Sequence, residues 1–201
     1  MVREAVRLRP GALVVLEGLD RTGKSSQATR LQQLRWADPA PKFTHMPSGL
    51  TELTQAVYRL TEDTTIASPL ARQLLHLACH AENLGPLQQV RRERAVVLDR
   101  WWWSTVAYGW HASHLAEHGV DYELFHGLIG TVWAGQNADT VFLFTTPHKR
   151  DDHNRQEVRE AYDLLAAEHP AQTVRVPATD PAATTEFIVA ALRERGLLEQ
   201  W

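Results

Sequence analysis

Residues 18–25 read Gly18-Leu19-Asp20-Arg21-Thr22-Gly23-Lys24-Ser25 and match G-x-x-x-x-G-K-S/T without a gap. This string constrains the fold because it works only where a strand delivers the chain and a helix carries it away. Its backbone N–H groups then turn inward around phosphate oxygens, and the helix N-terminus adds the positive end of a dipole. The flanks agree. Residues 12–16 form an apolar, β-branched run, and residues 24–36 carry Ala28, Leu31 and Leu34 at helical spacing. In such a loop Lys24 reaches the β- and γ-phosphates of a nucleoside triphosphate, and the Ser25 hydroxyl can ligate Mg2+. Gly18, Leu19, Thr22, Gly23 and Ser26 complete the cradle.

The rest of the chain extends the same alternation. Strands are expected at 12–16, 42–45, 95–98 (ending on Asp99), 140–144 and 172–176. Helices are expected at 24–36, 69–91, 104–118, 122–133, 156–168 and 181–195. In the long one, Leu70, Leu74, Leu77, Ala81 and Leu84 fall on one face and read as core. Alternating strands and helices predict an α/β fold with a five-stranded, mainly parallel sheet flanked by helices in three layers. Right-handed crossovers bring the strand ends, and any ligand, to one edge of that sheet.

Composition narrows the function classes. At 201 residues the chain holds one medium domain, read as 1–201 with a short lid at about 147–157. Its 21 basic and 24 acidic residues leave a net charge of −3, which argues against a broad basic surface for nucleic acid. A single cysteine excludes an internal disulfide framework and suits a reducing, cytoplasmic setting. No stretch approaches the ~20 apolar residues of a membrane span. Residues 1–10 carry arginines and lack the apolar run of a secretory signal.

Charges inside and opposite the loop carry further chemistry. Arg21 stands where a guanidinium can swing over transferring phosphates, a contribution worth ~10³–10⁵ in rate; a solvated loop arginine is the other reading. Asp20 would repel phosphate and is read as binding a hydroxyl of the acceptor. Asp99-Arg100 ends the third strand and faces the loop across the sheet edge. There the carboxylate can serve Mg2+ and the guanidinium can clamp a phosphate.

Glu17-Gly18-Leu19-Asp20-Arg21-Thr22-Gly23-Lys24-Ser25-Ser26-Gln27 closely resembles the phosphate-loop signature of the thymidylate kinase family. Asp99-Arg100-Trp101-Trp102-Trp103-Ser104-Thr105-Val106-Ala107-Tyr108 is similar to its D-R-Y-x-x-S-x-x-A-Y. Pro47-Ser48-Gly49 stands for its Pro-Gly-Gly, and Val158-Arg159-Glu160-Ala161-Tyr162 looks like the helix after its lid. The likeness runs from about residue 12 to 195.

The resemblance implies the P-loop nucleoside monophosphate kinase fold and transfer of the ATP γ-phosphate to a deoxynucleoside monophosphate, dTMP in the family. It implies Lys24 and the loop on ATP, Asp20 on the acceptor's 3′-hydroxyl and Arg100 on its phosphate. Ser25 and Asp99 would serve Mg2+, and Tyr108 would pack on the sugar and disfavour a 2′-hydroxyl. Pro47, Ser104 and Thr105 would line the acceptor site. Arg21 matches the subgroup whose lid need not carry the catalytic arginine. A homodimer is the family default.

The departures concentrate on the long helix. Where the family reads L-L-F-A-A-D-R-A-E, this chain reads Leu74-Leu75-His76-Leu77-Ala78-Cys79-His80-Ala81-Glu82. His76 replaces the ring that stacks on the base and His80 the arginine that reads it, with Arg72 one turn earlier on the same face. Two acceptors stand on these residues: dTMP, or a 5-modified pyrimidine such as 5-hydroxymethyl-dUMP. A regulatory module that binds nucleotide without catalysis is a further class. His45-Met46-Pro47 lacks the family's arginine, and Gly109 replaces its polar residue after the tyrosine. The lid is short but charged; Arg150 and Arg155 could close over ATP, against the default of a solvated loop. One of Trp101, Trp102 and Trp103 takes the family's tyrosine position, and the others pack or meet a second subunit. His111, His114 and His118 read as a polar helix face.

Overall fold

The computed structural model describes residues 5–200; residues 1–4, which carry Arg3 and Glu4, and residue 201 lie outside the described residues. Strand β2 (Leu13–Gly18) shows how the layers arise. Its side chains alternate: Leu13 and Val15 enter one core, Val14 and Leu16 the other, and all four are fully buried. A strand with no solvent face must lie inside a sheet covered on both sides. The sheet runs β3-β4-β2-β5-β6, wholly parallel, with β3 (Lys42–His45), β4 (Val96–Asp99), β5 (Thr140–Phe144) and β6 (Thr173–Arg175). Register pairs Leu16 with Asp99 and Gly18 with Phe144, so the phosphate loop and the Asp-Arg segment leave adjacent strands at the same edge.

Helices α3 (Pro69–Glu93), α5 (Tyr122–Val132) and α6 (Gln156–Glu168) send Leu77 and Leu87, Phe125 and Ile129, and Tyr162 and Leu165 into the first core. Helices α1 (Lys24–Gln32) and α7 (Pro181–Glu194) send Leu31, Ile188 and Leu192 into the second. Their starts follow local chemistry. Ser68 accepts from the Ala71 N–H and Pro69 opens α3; Asp180 accepts from Ala182 and Ala183 and Pro181 opens α7.

The structure departs from the sequence expectations in four places. Helix α2 (Glu52–Asp63) lay unseen because its pattern is inverted: it buries Thr54 and Thr61 and exposes Leu53 and Leu60. Thr51 and Thr54 cap it reciprocally, a box closed by threonine rather than glutamate. On α3 the apolar stripe is likewise split. Leu77 is buried, yet Leu74 is 46% exposed and Ala81 is exposed; Gln73, His80 and Asn83 turn inward instead. Helix α1 stops at Gln32, short of residue 36, because Val6 takes Arg35 into an edge pairing and Trp36 Nε1 donates to the Leu31 carbonyl. That edge belongs to a two-stranded antiparallel ribbon, β1 (Val6–Leu8) with β7 (Leu198–Gln200), which joins the two ends of the chain.

The fourth departure bears on the site. The expected helix at 104–118 is three pieces: α4 (Trp102–Ser104), a π-helix (Thr105–His111) and a 3-10 turn (Leu115–His118). The Ala112 N–H reaches the Ala107 carbonyl, an i to i+5 bond that widens the helix. Such segments mark functional positions.

Candidate active site

Backbone geometry sets the phosphate loop. Gly18 has φ 127°, and a Cβ there would lie 2.0 Å from the Phe144 carbonyl oxygen of the neighbouring strand, so only glycine fits. Gly23, at φ 90°, opens helix α1. Between them the Thr22 hydroxyl donates to the Leu19 carbonyl at 2.8 Å and ties the loop across. Lys24 is 5% exposed and donates to the carbonyls of Gly18 (3.0 Å) and Leu19 (2.5 Å). Burial, then the nearby Arg100 guanidinium, lowers its pKa to about 7.

The Asp-Arg segment meets this loop directly. The Ser25 hydroxyl donates to Asp99 Oδ2 at 2.8 Å. Arg100 pairs with Asp20, donates to Ser104 Oγ at 2.9 Å, and lies 5.2 Å over the Tyr108 ring. Burial works against its charge, but Tyr162, Asp20 and Glu17 outweigh it and raise its pKa. Arg100 holds φ 72° and Arg21 φ 57°, left-handed conformations that non-glycine residues adopt where the surroundings impose them.

Glu17 organises the floor. Its Oε1 accepts from the backbone N–H groups of Trp101 (2.7 Å) and Ser104 (3.0 Å). Its Oε2 accepts from the hydroxyls of Ser104 (2.8 Å) and Tyr162 (2.9 Å) and from the Gly18 N–H (3.1 Å). One fully buried carboxylate thus joins β2, the Asp-Arg segment and α6. Burial raises its pKa, opposed by Arg100 and by these donors.

The 147–157 segment is anchored to the loop. The Asn154 side chain brackets the Asp20 peptide, accepting from its N–H and donating to its carbonyl, both at 2.8 Å. Tyr108 donates to the same Asn154 oxygen at 3.0 Å. Arg21 pairs with Asp151 at 2.6 Å, and the His148 N–H donates to the Arg21 carbonyl at 2.8 Å.

Besides a shallow opening along 147–154, three more border this core among the described residues. The loop mouth, from Asp20 to Ser26 with His45, Asp99 and Arg100, encloses about 240 Å³. A narrower cleft of about 150 Å³ lies between Thr22–Gln27 of the loop side, Phe144, His148 and the 176–179 segment after β6. The largest, about 670 Å³, extends from Asp20 and Arg100 along Ser104, Thr105, Tyr108 and Gly109 to Tyr58, Arg72, Gln73 and His76 of α2 and α3, with Pro47 at its wall.

The comparisons agree with this architecture. The family model described as thymidylate kinase matches residues 16–163. A probable thymidylate kinase of Methanosarcina acetivorans is 37% identical over 89% of this chain and 93% of the relative. The chain belongs to the thymidylate kinase family. A thymidylate kinase of Chlorobium chlorochromatii is 25% identical over 91% of this chain and 95% of its own. The crystal structure of a thymidylate kinase from Ehrlichia chaffeensis superposes with a TM-score of 0.73 at 21% identity, covering 92% of this chain and all of that one. The chain is therefore an ATP-dependent nucleoside monophosphate kinase with the P-loop α/β fold of the family.

Against the family pattern, the structure brings Asp20, Lys24, Ser25, Asp99, Arg100, Ser104 and Tyr108 to one junction. Arg21 points to the 147–157 segment instead, through Asp151. Arg150 is solvent-exposed beside Asp152, and Arg155 reaches the Ala112 carbonyl at 3.4 Å; neither meets the loop. His80 departs furthest from expectation. It is 2% exposed, its Nε2 is bonded to Thr105 Oγ1 at 3.2 Å, and its Nδ1 is buried without a partner. Burial, then His76, lowers its pKa to about 3, so the ring is neutral; it packs edge-on against Trp133 while still lining the cavity. His76 lines the cavity beside Tyr58, with its pKa lowered to about 4 by burial and Arg72. Among the tryptophans, Trp101 and Trp103 are buried and Trp102 partly so, stacked among themselves and on His169. Sequence reasoning named Glu17 only within a motif and missed Asn154 and the 176–179 segment. The end of β6 at the ligand edge was the available signal for the last.

Proposed function

We propose that this kinase transfers the γ-phosphoryl group of ATP to dTMP. The carrying observation is Arg100, gripped by Asp20, Ser104 and Tyr108 where the phosphate loop opens into the 670 Å³ cavity. A fixed guanidinium at that junction suits an acceptor phosphate facing the ATP γ-phosphate. Lys24 would release its two carbonyl partners to phosphate oxygens, and Arg21 would leave Asp151 for the transferring group. The donor set at Ser25 and Asp99 is hydroxyl and carboxylate oxygen, which fits Mg2+. These two residues would hold it, and it would neutralise charge on the bridging phosphates. Asp20 would meet the 3′-hydroxyl and Tyr108 would pack against the sugar. Positioning and charge neutralisation are the whole of the work, with no covalent intermediate.

The family reading extends to a homodimer and a cytoplasmic enzyme. Among the described residues no helix is long and apolar enough to cross a membrane. Exposed Leu53, Leu60 and Leu74 on α2 and α3 supply an apolar face of the kind a subunit contact buries. Light scattering at micromolar concentration reads the mass.

The test of function is ADP release from Mg-ATP with dTMP, dUMP, 5-hydroxymethyl-dUMP, dCMP, dGMP or thymidine. Preferred turnover of dTMP is expected. Preference for 5-hydroxymethyl-dUMP would move the acceptor to a modified pyrimidine. Turnover on every acceptor no better than Lys24→Ala would overturn the reading and leave a nucleotide-binding module.

A further inference from the structure

His80 lines the large cavity with both ring nitrogens already bonded or buried, and the cavity has another polar group. Gln73 of α3 is 4% exposed, lines that cavity, and its carboxamide has no hydrogen-bond partner among the described residues. The protein leaves this amide unbonded on the cavity, so its donor and acceptor are available to a bound ligand. Its seat is specific. A Cβ on Gly109 of the π-helix would lie 2.4 Å from Gln73 Oε1 and 2.8 Å from its Cδ, so the amide occupies the space that a side chain at 109 would fill. Both residues line the same cavity as Ser104, the partner of Arg100. Neither His80 nitrogen is open to the cavity, and the Nε2 of His76 is buried.

We infer that Gln73, seated on Gly109, is a specificity-determining residue that reads the hydrogen-bonding edge of the acceptor's base. A carboxamide presents one acceptor and a two-hydrogen donor in one plane. The imide edge of a thymine- or uracil-type base presents an N3–H donor flanked by carbonyl acceptors, so the two planes can exchange a pair of hydrogen bonds. The inference rests on the large cavity being the acceptor site, as proposed above. Leaving such groups unpaired costs about 1–3 kcal/mol, which reads as about a 5- to 150-fold loss of affinity.

The test uses Gln73→Met, Gly109→Ala and the double variant. Readouts are the KM for dTMP, kcat at saturating dTMP, the KM for ATP, the melting temperature and inhibition by deoxyribose 5-phosphate, an acceptor fragment without a base. Gln73→Met is expected to raise the KM for dTMP at least about fivefold while leaving the KM for ATP and inhibition by the sugar phosphate unchanged. Gly109→Ala is expected to fold at least as stably, because alanine favours helix, and to lose dTMP affinity by displacing the amide. The double variant is then no worse than the worse single variant. An unchanged KM for dTMP in Gln73→Met, or equal losses on dTMP and deoxyribose 5-phosphate, overturns the assignment. Additive losses overturn the part given to Gly109. If the unaltered protein itself fails on every deoxynucleotide, it is the proposed function that falls, before Gln73 is tested.

Discussion

Lys24 and Glu17 illustrate how single buried charges are held for opposite ends. Among the described residues Lys24 has no carboxylate partner, only carbonyls, and its pKa falls to about 7. Phosphate oxygens would restore its charge, so ATP binding should take up a proton above pH 7 and little below it. Calorimetry at pH 8.5 in buffers of different ionisation enthalpy should show uptake approaching ~1 proton per site, absent in Lys24→Arg, which stays charged. Glu17, in contrast, accepts from five donors. Glu17→Gln replaces one acceptor oxygen by a donor that faces donors, and should lower unfolding free energy by about 1–3 kcal/mol in urea titration. Its kcat should fall as well, since Ser104, which holds Arg100, loses its anchor.

At the level of elements, the 147–157 segment is tied to the phosphate loop by side-chain bonds. Asn154 brackets the Asp20 peptide and Asp151 holds Arg21, so residues 147–157 follow the phosphate loop through side-chain bonds instead of spanning it. Asn154→Ala should raise the KM for ATP about tenfold, the scale of one or two lost hydrogen bonds, with a melting temperature nearly unchanged. Limited proteolysis should then cut within 147–157 faster than in the parent protein. The π-helix is the second element that matters. Its wider turn sets Thr105, Tyr108 and Gly109 along one cavity wall.

At the scale of the whole molecule, His45, His76 and His80 line the large cavity, and burial lowers the pKa of each. His80, with a pKa near 3 in the fold and 6.5 in the open chain, refuses a proton that the unfolded state accepts. Its contribution is complete above pH 6.5 and is lost as pH falls from 6.5 toward 3; His76 acts in the same direction. At pH 5 the His80 cost is about 2 kcal/mol. Melting temperature should therefore drop steeply between pH 6.5 and 4.5, and His80→Gln should flatten that slope even if it lowers the plateau. An unchanged slope would assign the acid sensitivity elsewhere.

The strand–loop–helix at Gly18, the parallel sheet and the Asp-Arg partner were legible in the sequence, because each is written in contiguous residues whose spacing has one physical meaning. A fully buried β2 and a glycine that nothing can replace leave little choice of fold. Helix α2 and the β1–β7 ribbon were not legible: one buries threonine, and the other pairs residues almost the whole chain apart. The cavity wall supplied by α3 was legible only in part, for the same reason. Helical spacing put His76 and His80 on one face, but which face meets the cavity depends on the packing of α3 against the π-helix. Only the tertiary structure turned His80 toward Trp133 and Thr105 and set Gln73 against Gly109. Local sequence determines what a side chain can do; the packing of distant elements decides what it faces.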